Sequence, residues 1–172
     1  FEMALTQEML DIALRHRPHA VCIVPERREE VTTEGGLNVQ AHIGPLFFAV
    51  QQLKEAGIRV SLFIDPSKQQ VMAATGVGAQ VVEFHTGRYC HAEGEARQAA
   101  FAELSAAVAM AHQLGLEVHA GHGLDYETAA EVATLPQIRE LNIGHFLIGE
   151  AIFIGLDEAI ARMRSAIDGA AR

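Results

Sequence analysis

The stretch that decides the fold reads Leu116-Glu117-Val118-His119-Ala120-Gly121-His122-Gly123. It is a short apolar run that ends in histidine and glycine, and a helical pattern follows it. A buried parallel strand with a loop at its carboxyl end has this pattern. Residues 81–87 and 141–145 repeat it. Because α/β proteins build their pockets at the carboxyl ends of parallel strands, the three endings predict one shared site.

Strand and helix patterns alternate along the whole chain. Strand patterns lie at residues 1–4, 19–25, 59–65, 81–87, 116–123 and 140–145, and helical patterns lie at residues 6–15, 44–56, 67–75, 93–114, 126–133 and 157–167. This alternation predicts an α/β fold, either a TIM (β/α)₈ barrel or an open six-stranded sheet. A barrel needs eight units, and about six are found. We therefore expect one domain over residues 1–172 that holds strands 3 to 8 of a barrel and lacks the first two units.

Composition narrows the range of partners. The 172 residues carry a net charge of −9, which argues against nucleic acid because phosphate backbones require clustered Lys and Arg. Cys22 and Cys90 form no CxxC motif, and Cys22 is interpreted as an inert thiol inside a strand. No apolar run reaches ~18 residues and no signal pattern is seen, so we expect a cytoplasmic protein without a membrane span.

Histidines and carboxylates near the strand ends are the candidate acid–base groups. Glu83 and His85 are two residues apart on a strand and face the same side, either for function or as a structural ion pair. His122 has a glycine on each side and is either a general acid or base or a turn histidine. A metal pair with His119 is disfavoured because a strand places residues i and i+3 on opposite faces. By pattern alone, Glu2 is a surface carboxylate at a strand end.

Candidate ligand contacts lie at the last strand and in one long loop. Gly144 and His145 precede the apolar stretch 146–156, and a short helix at this position commonly binds phosphate through its N–H groups. A tight turn before a buried helix is the alternative. The charged stretch 25–37 contains Thr32 and is either a mobile lid or a solvated loop.

Five sequence blocks are specific when they are taken together. They lie at residues 24–37, 60–65, 83–87, 120–124 and 140–145. In this order they resemble the pyridoxine 5′-phosphate synthase family. The resemblance implies a (β/α)₈ barrel, assembled as a homo-octamer, that uses no metal or organic cofactor. It implies condensation of two phosphorylated small molecules, 1-deoxy-D-xylulose 5-phosphate and 3-amino-2-oxopropyl phosphate, to give pyridoxine 5′-phosphate, phosphate and water.

The resemblance also implies roles for single residues. Glu2 falls on the family's catalytic base, His122 on its proton donor, and Glu83 on the carboxylate that stabilises the transition state. We expect these three side chains to face one cavity at the carboxyl ends of the strands. Substrate and product contacts fall on Thr32, Gly123, Gly144 and His145. The family's first two strands carry a further catalytic histidine and a phosphate-binding arginine that are not in these 172 residues, so the chain alone is expected to be inactive.

Two other functions stay open. One is another barrel enzyme that acts on phosphorylated sugars, such as an aldolase or epimerase. An imine-forming aldolase needs a lysine at a strand end, whereas Lys54 and Lys68 both lie in helical patterns. The other is an inactive fragment or assembly module of the synthase, which the missing first units favour.

Overall fold

A computed structural model describes residues 1–25 and 35–170 as six strands that alternate with helices. A 3₁₀ turn at Val39–His42 precedes the second long helix. The elements are β1 (Glu2–Ala4), α1 (Gln7–His16), β2 (Ala20–Val24), α2 (Ile43–Glu55), β3 (Arg59–Ile64), α3 (Lys68–Gly76), β4 (Val81–His85), α4 (Gly87–His91), α5 (Gly94–Gln113), β5 (Glu117–Gly121), α6 (Tyr126–Ala133), β6 (Ile138–Asn142), α7 (His145–Ile154) and α8 (Leu156–Ala170).

All six strands form one parallel sheet in the order of the sequence, β1-β2-β3-β4-β5-β6. Parallel neighbours need crossover connections, and a helix supplies each of them. The predicted α/β class is therefore confirmed. Within the described residues β1 and β6 are the two edges of the sheet.

One face of the sheet is apolar and lies against the helices. Alternate residues of the strands point to this side, as the two-residue period of a strand requires. The buried residues of this face are Met3, Val21, Ile23, Val60, Leu62, Ile64, Val82, Phe84, Val118 and Ala120. They share one core with apolar residues of the helices, such as Leu46 of α2 and Leu104 of α5. Burial of this face is the main stabilising contribution to the fold.

The opposite face, which we call the polar face, carries a different set of side chains. It consists of Glu2, Cys22, Ser61, Phe63, Glu83, His85, Glu117, His119, Gly121, Glu140 and Asn142, which the strand registers place in adjacent rows. Ser61, His85 and His119 are buried, whereas Glu2 and Glu140 are exposed. The polar face therefore holds most of the ionisable groups that the sequence singled out.

Three strand predictions need correction at their carboxyl ends. The strand at 81–87 stops at His85, and α4 begins at Gly87. The strand at 116–123 stops at Gly121, because His122 and Gly123 have φ angles of 76° and 82° that do not fit a strand. The strand at 140–145 lies instead at Ile138–Asn142, and α7 already begins at His145. In the described part of the chain, no helix is both long and apolar enough to cross a membrane.

Candidate active site

Glu83 lies at the centre of β4 and of the polar face. Its carboxylate accepts a hydrogen bond from the Asn142 side chain and another from the Cys22 thiol, with 3.8 Å between Sγ and Oε2. Burial is the main cause that raises the pKa of Glu83 to about 7; the charges of Glu2 and Glu140 raise it further, and the two hydrogen bonds oppose the rise. At neutral pH this group can therefore both give and accept a proton.

Gly121 on β5 leaves room for the Glu83 carboxylate. A β-carbon at this position would overlap Oε1 of Glu83 and lie 3.0 Å from the β-carbon of Asn142. The φ angle of Gly121 is not positive, so any residue could adopt this backbone conformation. The close approach of the carboxylate explains why a glycine stands here.

Glu2 and Cys22 lie beside Glu83 on β1 and β2. The two residues are register neighbours, and the charge of Glu2 acts on both the Glu83 carboxyl and the Cys22 thiol. Burial, followed by the charge of Glu83, raises the pKa of Cys22 to about 12. The thiol therefore stays protonated at neutral pH, as an inert thiol should, and acts as a hydrogen-bond donor.

His85 ends β4 and faces the same side as Glu83. Its ring is buried, and Nδ1 lies 3.2 Å from Oδ1 of Asp65. The alternative of a structural ion pair between Glu83 and His85 is therefore not what the structure shows, since Asp65 is the carboxylate that pairs with the ring. Asp65 directly follows β3 and also accepts a hydrogen bond of 3.0 Å from the backbone N–H of Gly36. The hydrogen bond from His85 is the main cause that lowers the pKa of Asp65.

His122 lies in the turn after β5, with an exposed side chain and a left-handed backbone. The hydroxyl of Thr86 lies 2.6 Å from the carbonyl oxygen of His122 and 2.8 Å from that of Gly121, so its proton is shared between them. The His122 ring packs on the ring of His85 at a centroid distance of 4.9 Å, and Phe63 lies against both. Sequence reasoning did not single out Thr86 or Asp65, because neither shows a pattern of its own.

The predicted phosphate contacts lie at the ends of the neighbouring strands β5 and β6. Gly123, Gly144 and His145 are all exposed. Gly144 is the residue before α7, and a β-carbon there would meet nothing within 4 Å. The first turn of α7 has no acidic residue, and its cap makes no side-chain hydrogen bond. N–H groups at such a helix start can bind an anion.

A second charged cluster lies at the amino-terminal part of the polar face. The buried His119 ring lies between Glu117, at 2.7 Å from Nε2, and Glu140, at 3.3 Å from Nδ1. Arg59 pairs with Glu117 at 2.9 Å. These contacts satisfy the charges of the cluster among themselves, which is how buried charge is normally tolerated. Over residues 1–25 and 35–170, no group of three or more His, Cys, Asp or Glu side chains could hold a metal ion.

The candidate residues lie along the polar face and are not enclosed by the described chain. Among the described residues, one pocket lies between β6, α7 and α8 and another near the start of β5, and neither contains Glu2, Glu83 or His122. Thr32 and most of the stretch 25–37 lie outside the described residues. The expected single cavity is therefore a surface of the sheet in this structure.

A parallel sheet with carboxylates and imidazoles on one face and a helix start at its carboxyl edge is the framework of an α/β enzyme that handles anionic substrates. Comparison with known proteins identifies the enzyme family. Residues 1–169 match the family model described as pyridoxal phosphate biosynthesis protein PdxJ, and the chain belongs to that family. It is therefore an enzyme of vitamin B6 biosynthesis.

Two curated relatives are both named pyridoxine 5′-phosphate synthase. A protein from Rhodospirillum rubrum, pyridoxine 5′-phosphate synthase, is 62% identical over 99% of this chain and 69% of its own length. The synthase of Caulobacter vibrioides is 59% identical over 99% of this chain and 68% of its own length. Among solved structures, the chain resembles one in the Amycolatopsis orientalis BexX/CysO complex, with a TM-score of 0.51 and 18% identity over 93% of this chain and 65% of the other. That likeness concerns the fold alone.

Proposed function

We propose that the polar face is the active site of a pyridoxine 5′-phosphate synthase. The observation that carries this proposal is Glu83, a partly buried carboxyl with a pKa of about 7 beside a second carboxylate, Glu2. Groups poised near neutrality at a parallel-sheet face are typical of acid–base catalysis. The names of the relatives give the product, pyridoxine 5′-phosphate. The substrates, 1-deoxy-D-xylulose 5-phosphate and 3-amino-2-oxopropyl phosphate, are those that the family resemblance implies.

The three catalytic roles are those that the family resemblance implies, and they suit the chemistry of this condensation. An imine forms between the amine and the ketone, phosphate and water leave, and a carbon–carbon bond closes the ring, so every step moves protons. Glu2 is exposed and ionisable, and it removes protons as the base. His122 is exposed at the carboxyl edge and gives protons to departing groups. Glu83 stabilises the positive charge that develops on nitrogen, and the Asn142 amide holds its carboxylate in place.

Substrate phosphate is proposed to bind at the start of α7. Gly144 leaves open space there, and the helix end offers N–H groups without an acidic residue to repel the anion. Gly123 and His145 lie at the same edge and complete the contacts. Thr32 is proposed to contact the pentulose phosphate by family resemblance alone.

The finer architecture is also a proposal. We assign β1 to β6 to strands 3 to 8 of a (β/α)₈ barrel. The unpaired edges of β1 and β6 in the described residues and the parallel order of the sheet support this assignment. The relatives are longer than this chain, which covers 69% of the Rhodospirillum rubrum protein. We also propose, from the family resemblance, that the protein assembles as a homo-octamer in the cytoplasm.

An imine-forming aldolase is a weaker candidate. Lys54 donates a hydrogen bond to the carbonyl of Gly78 from the end of α2. Lys68 is the first residue of α3. Neither lysine lies on the polar face, where such an enzyme would need its nucleophile.

The test is product formation from the two substrates by the native protein, expressed with whatever residues its gene encodes before Phe1. Pyridoxine 5′-phosphate is detected by its absorbance and mass. His122→Asn should lower kcat by about 10²–10⁴-fold, the usual contribution of a general acid or base. Asparagine suits this position because it tolerates a positive φ better than most residues. His112→Asn on the exposed surface of α5 is the matched control. Absence of product from the wild type, or a His122→Asn rate within a few-fold of it, would contradict the proposal.

A further inference from the structure

We propose that Asp65 and His85 are positioning residues for His122: the Asp65 carboxylate fixes the His85 ring, and that ring holds the His122 ring in the direction needed for proton transfer. This inference rests on the proposed role of His122. Neither residue is in the acid–base set of Glu2, Glu83 and His122, and both were linked to it only by the folded structure.

The first link is the hydrogen bond between Asp65 and His85. Nδ1 of His85 lies 3.2 Å from Oδ1 of Asp65, and the ring is 5% exposed. A low pKa keeps Asp65 ionised, and an ionised carboxylate only accepts hydrogen bonds. The proton of this bond must therefore reside on Nδ1 of His85, which defines both the tautomer and the plane of the ring.

The Asp65 carboxylate is itself held by the backbone. The N–H of Gly36 donates to the same oxygen, Oδ1, at 3.0 Å. A β-carbon on residue 36 would overlap the backbone of Ile64 and Asp65, so the two chain segments touch directly. The positive charge of Arg88 also acts on this carboxylate and favours its ionised form. Asp65 is thus a fixed acceptor, although its side chain is about half exposed.

The second link is the contact between the two imidazoles. Their centroids are 4.9 Å apart with an angle of 54° between the planes, and Phe63 lies 5.3 Å from His85 and 6.4 Å from His122. Gly87 makes this packing possible. A β-carbon there would lie 2.7 Å from Nε2 of His85 and 3.2 Å from Cδ2 of His122. The ring of His85 therefore fills one side of the space around His122.

Ring packing of this kind matters because proton transfer requires a fixed direction of the imidazole toward the leaving group. Misplacement of a reacting group by about 1 Å can cost on the order of 10²-fold in rate. The Thr86 hydroxyl fixes the backbone of His122, and the pair of Asp65 and His85 fixes its ring.

The main experiment compares Asp65→Ala with Asp65→Asn in the native protein. Alanine removes the acceptor, so kcat should fall about 10- to 100-fold while KM stays within about twofold. Asparagine keeps an amide oxygen that can accept from Nδ1, so it should recover most of the loss. Asp11→Ala on the exposed surface of α1 is the control. A rise in KM with unchanged kcat, or an Asn variant no better than the Ala variant, would overturn the inference.

A second readout does not depend on activity. In protein with ¹³C-labelled histidine, Asp65→Ala should move or broaden the ring signals of His122, because the ring no longer keeps one orientation. Asp65→Ser also removes the carboxylate and lies away from the His122 ring, so it should have the same effect and replaces Asp65→Ala if that variant does not fold. Unchanged His122 signals in the variant that folds would refute the positioning role. If the wild type makes no product, the proposed function fails, and these signals still decide this inference.

Discussion

Replacement of Glu83 by glutamine should stabilise the protein above neutral pH and abolish its activity. Glutamine has the shape of a protonated glutamic acid and cannot ionise. In the wild type, burial and the charge of Glu2 raise the pKa of Glu83 from an ordinary 4.5 to about 7. The folded protein therefore holds this proton more tightly than the unfolded chain does.

The sign and size of the effect follow from linkage. Below pH 4.5 Glu83 is protonated in both the folded and the unfolded protein, so its ionisation does not lower the stability. As pH rises from 4.5 to 7 the unfolded chain loses the proton first, so the free energy of unfolding falls. Above pH 7 the full cost remains. The two pKa values differ by about 2.5, and each pH unit corresponds to ~1.4 kcal/mol, so the cost reaches ~3 kcal/mol as an upper value for a partly buried group.

Urea unfolding of wild type and Glu83→Gln at pH 5, 7 and 8.5 measures this difference directly. The free energy of unfolding of Glu83→Gln should exceed that of wild type only slightly at pH 5 and by ~3 kcal/mol at pH 8.5. Contributions of all other groups cancel in the comparison. Glu55→Gln on the exposed surface of α2 should show no such trend. A difference that is constant with pH, or a variant that is less stable at pH 8.5, would refute the assignment of a raised pKa to Glu83.

Three further outcomes are expected. Gly121→Ala should destabilise the protein by about 1–3 kcal/mol in urea unfolding, because its β-carbon displaces the Glu83 carboxylate, whereas Gly149→Ala, with open space around it, should not. Thr86→Val should lower the free energy of unfolding by about 1–2 kcal/mol and lower kcat, whereas Thr86→Ser should keep both values near wild type. Equal effects of the two substitutions would assign the role of Thr86 to packing rather than to its hydroxyl. Inorganic phosphate should shift the backbone N–H signals of Gly144 and His145 in NMR titration, and shifts confined to other sites would remove the anion site from α7.

The order of elements could be read from the sequence because each strand is buried on its helical face. The residue period and the glycines between elements predicted six strands, and all six form. The main errors lie at the carboxyl ends of β5 and β6, where local conformation departs from the strand. His122 is a non-glycine residue with a positive φ, and Thr86 from the preceding strand end stabilises it. A hydrogen bond across 36 residues leaves no trace in a local pattern.

In the candidate site, too, some residues could be predicted from the sequence and others only from the folded structure. Glu83 was found because a charge inside an apolar strand stands out, and Glu2 and His122 gained their roles from family resemblance. Asn142, which holds the Glu83 carboxylate, was part of a family block without a role of its own. The sequence left a Glu83–His85 ion pair open as an alternative, because spacing reports which residues share a face and not which side chain lies nearest. Only the turn after β3 places Asp65 next to that ring.

Glu83 and the cluster around His119 show two ways in which this sheet tolerates charge. His119 lies between two carboxylates, and Arg59 pairs with one of them, so every ionisable group of that cluster has a polar partner. Glu83 has neutral donors, Asn142 and Cys22, and like charges near it, so no cation offsets its ionisation. Ionisation of Glu83 therefore has a free-energy cost that a cation bound beside it would offset. In the proposed synthase reaction, the imine intermediate would supply that cation.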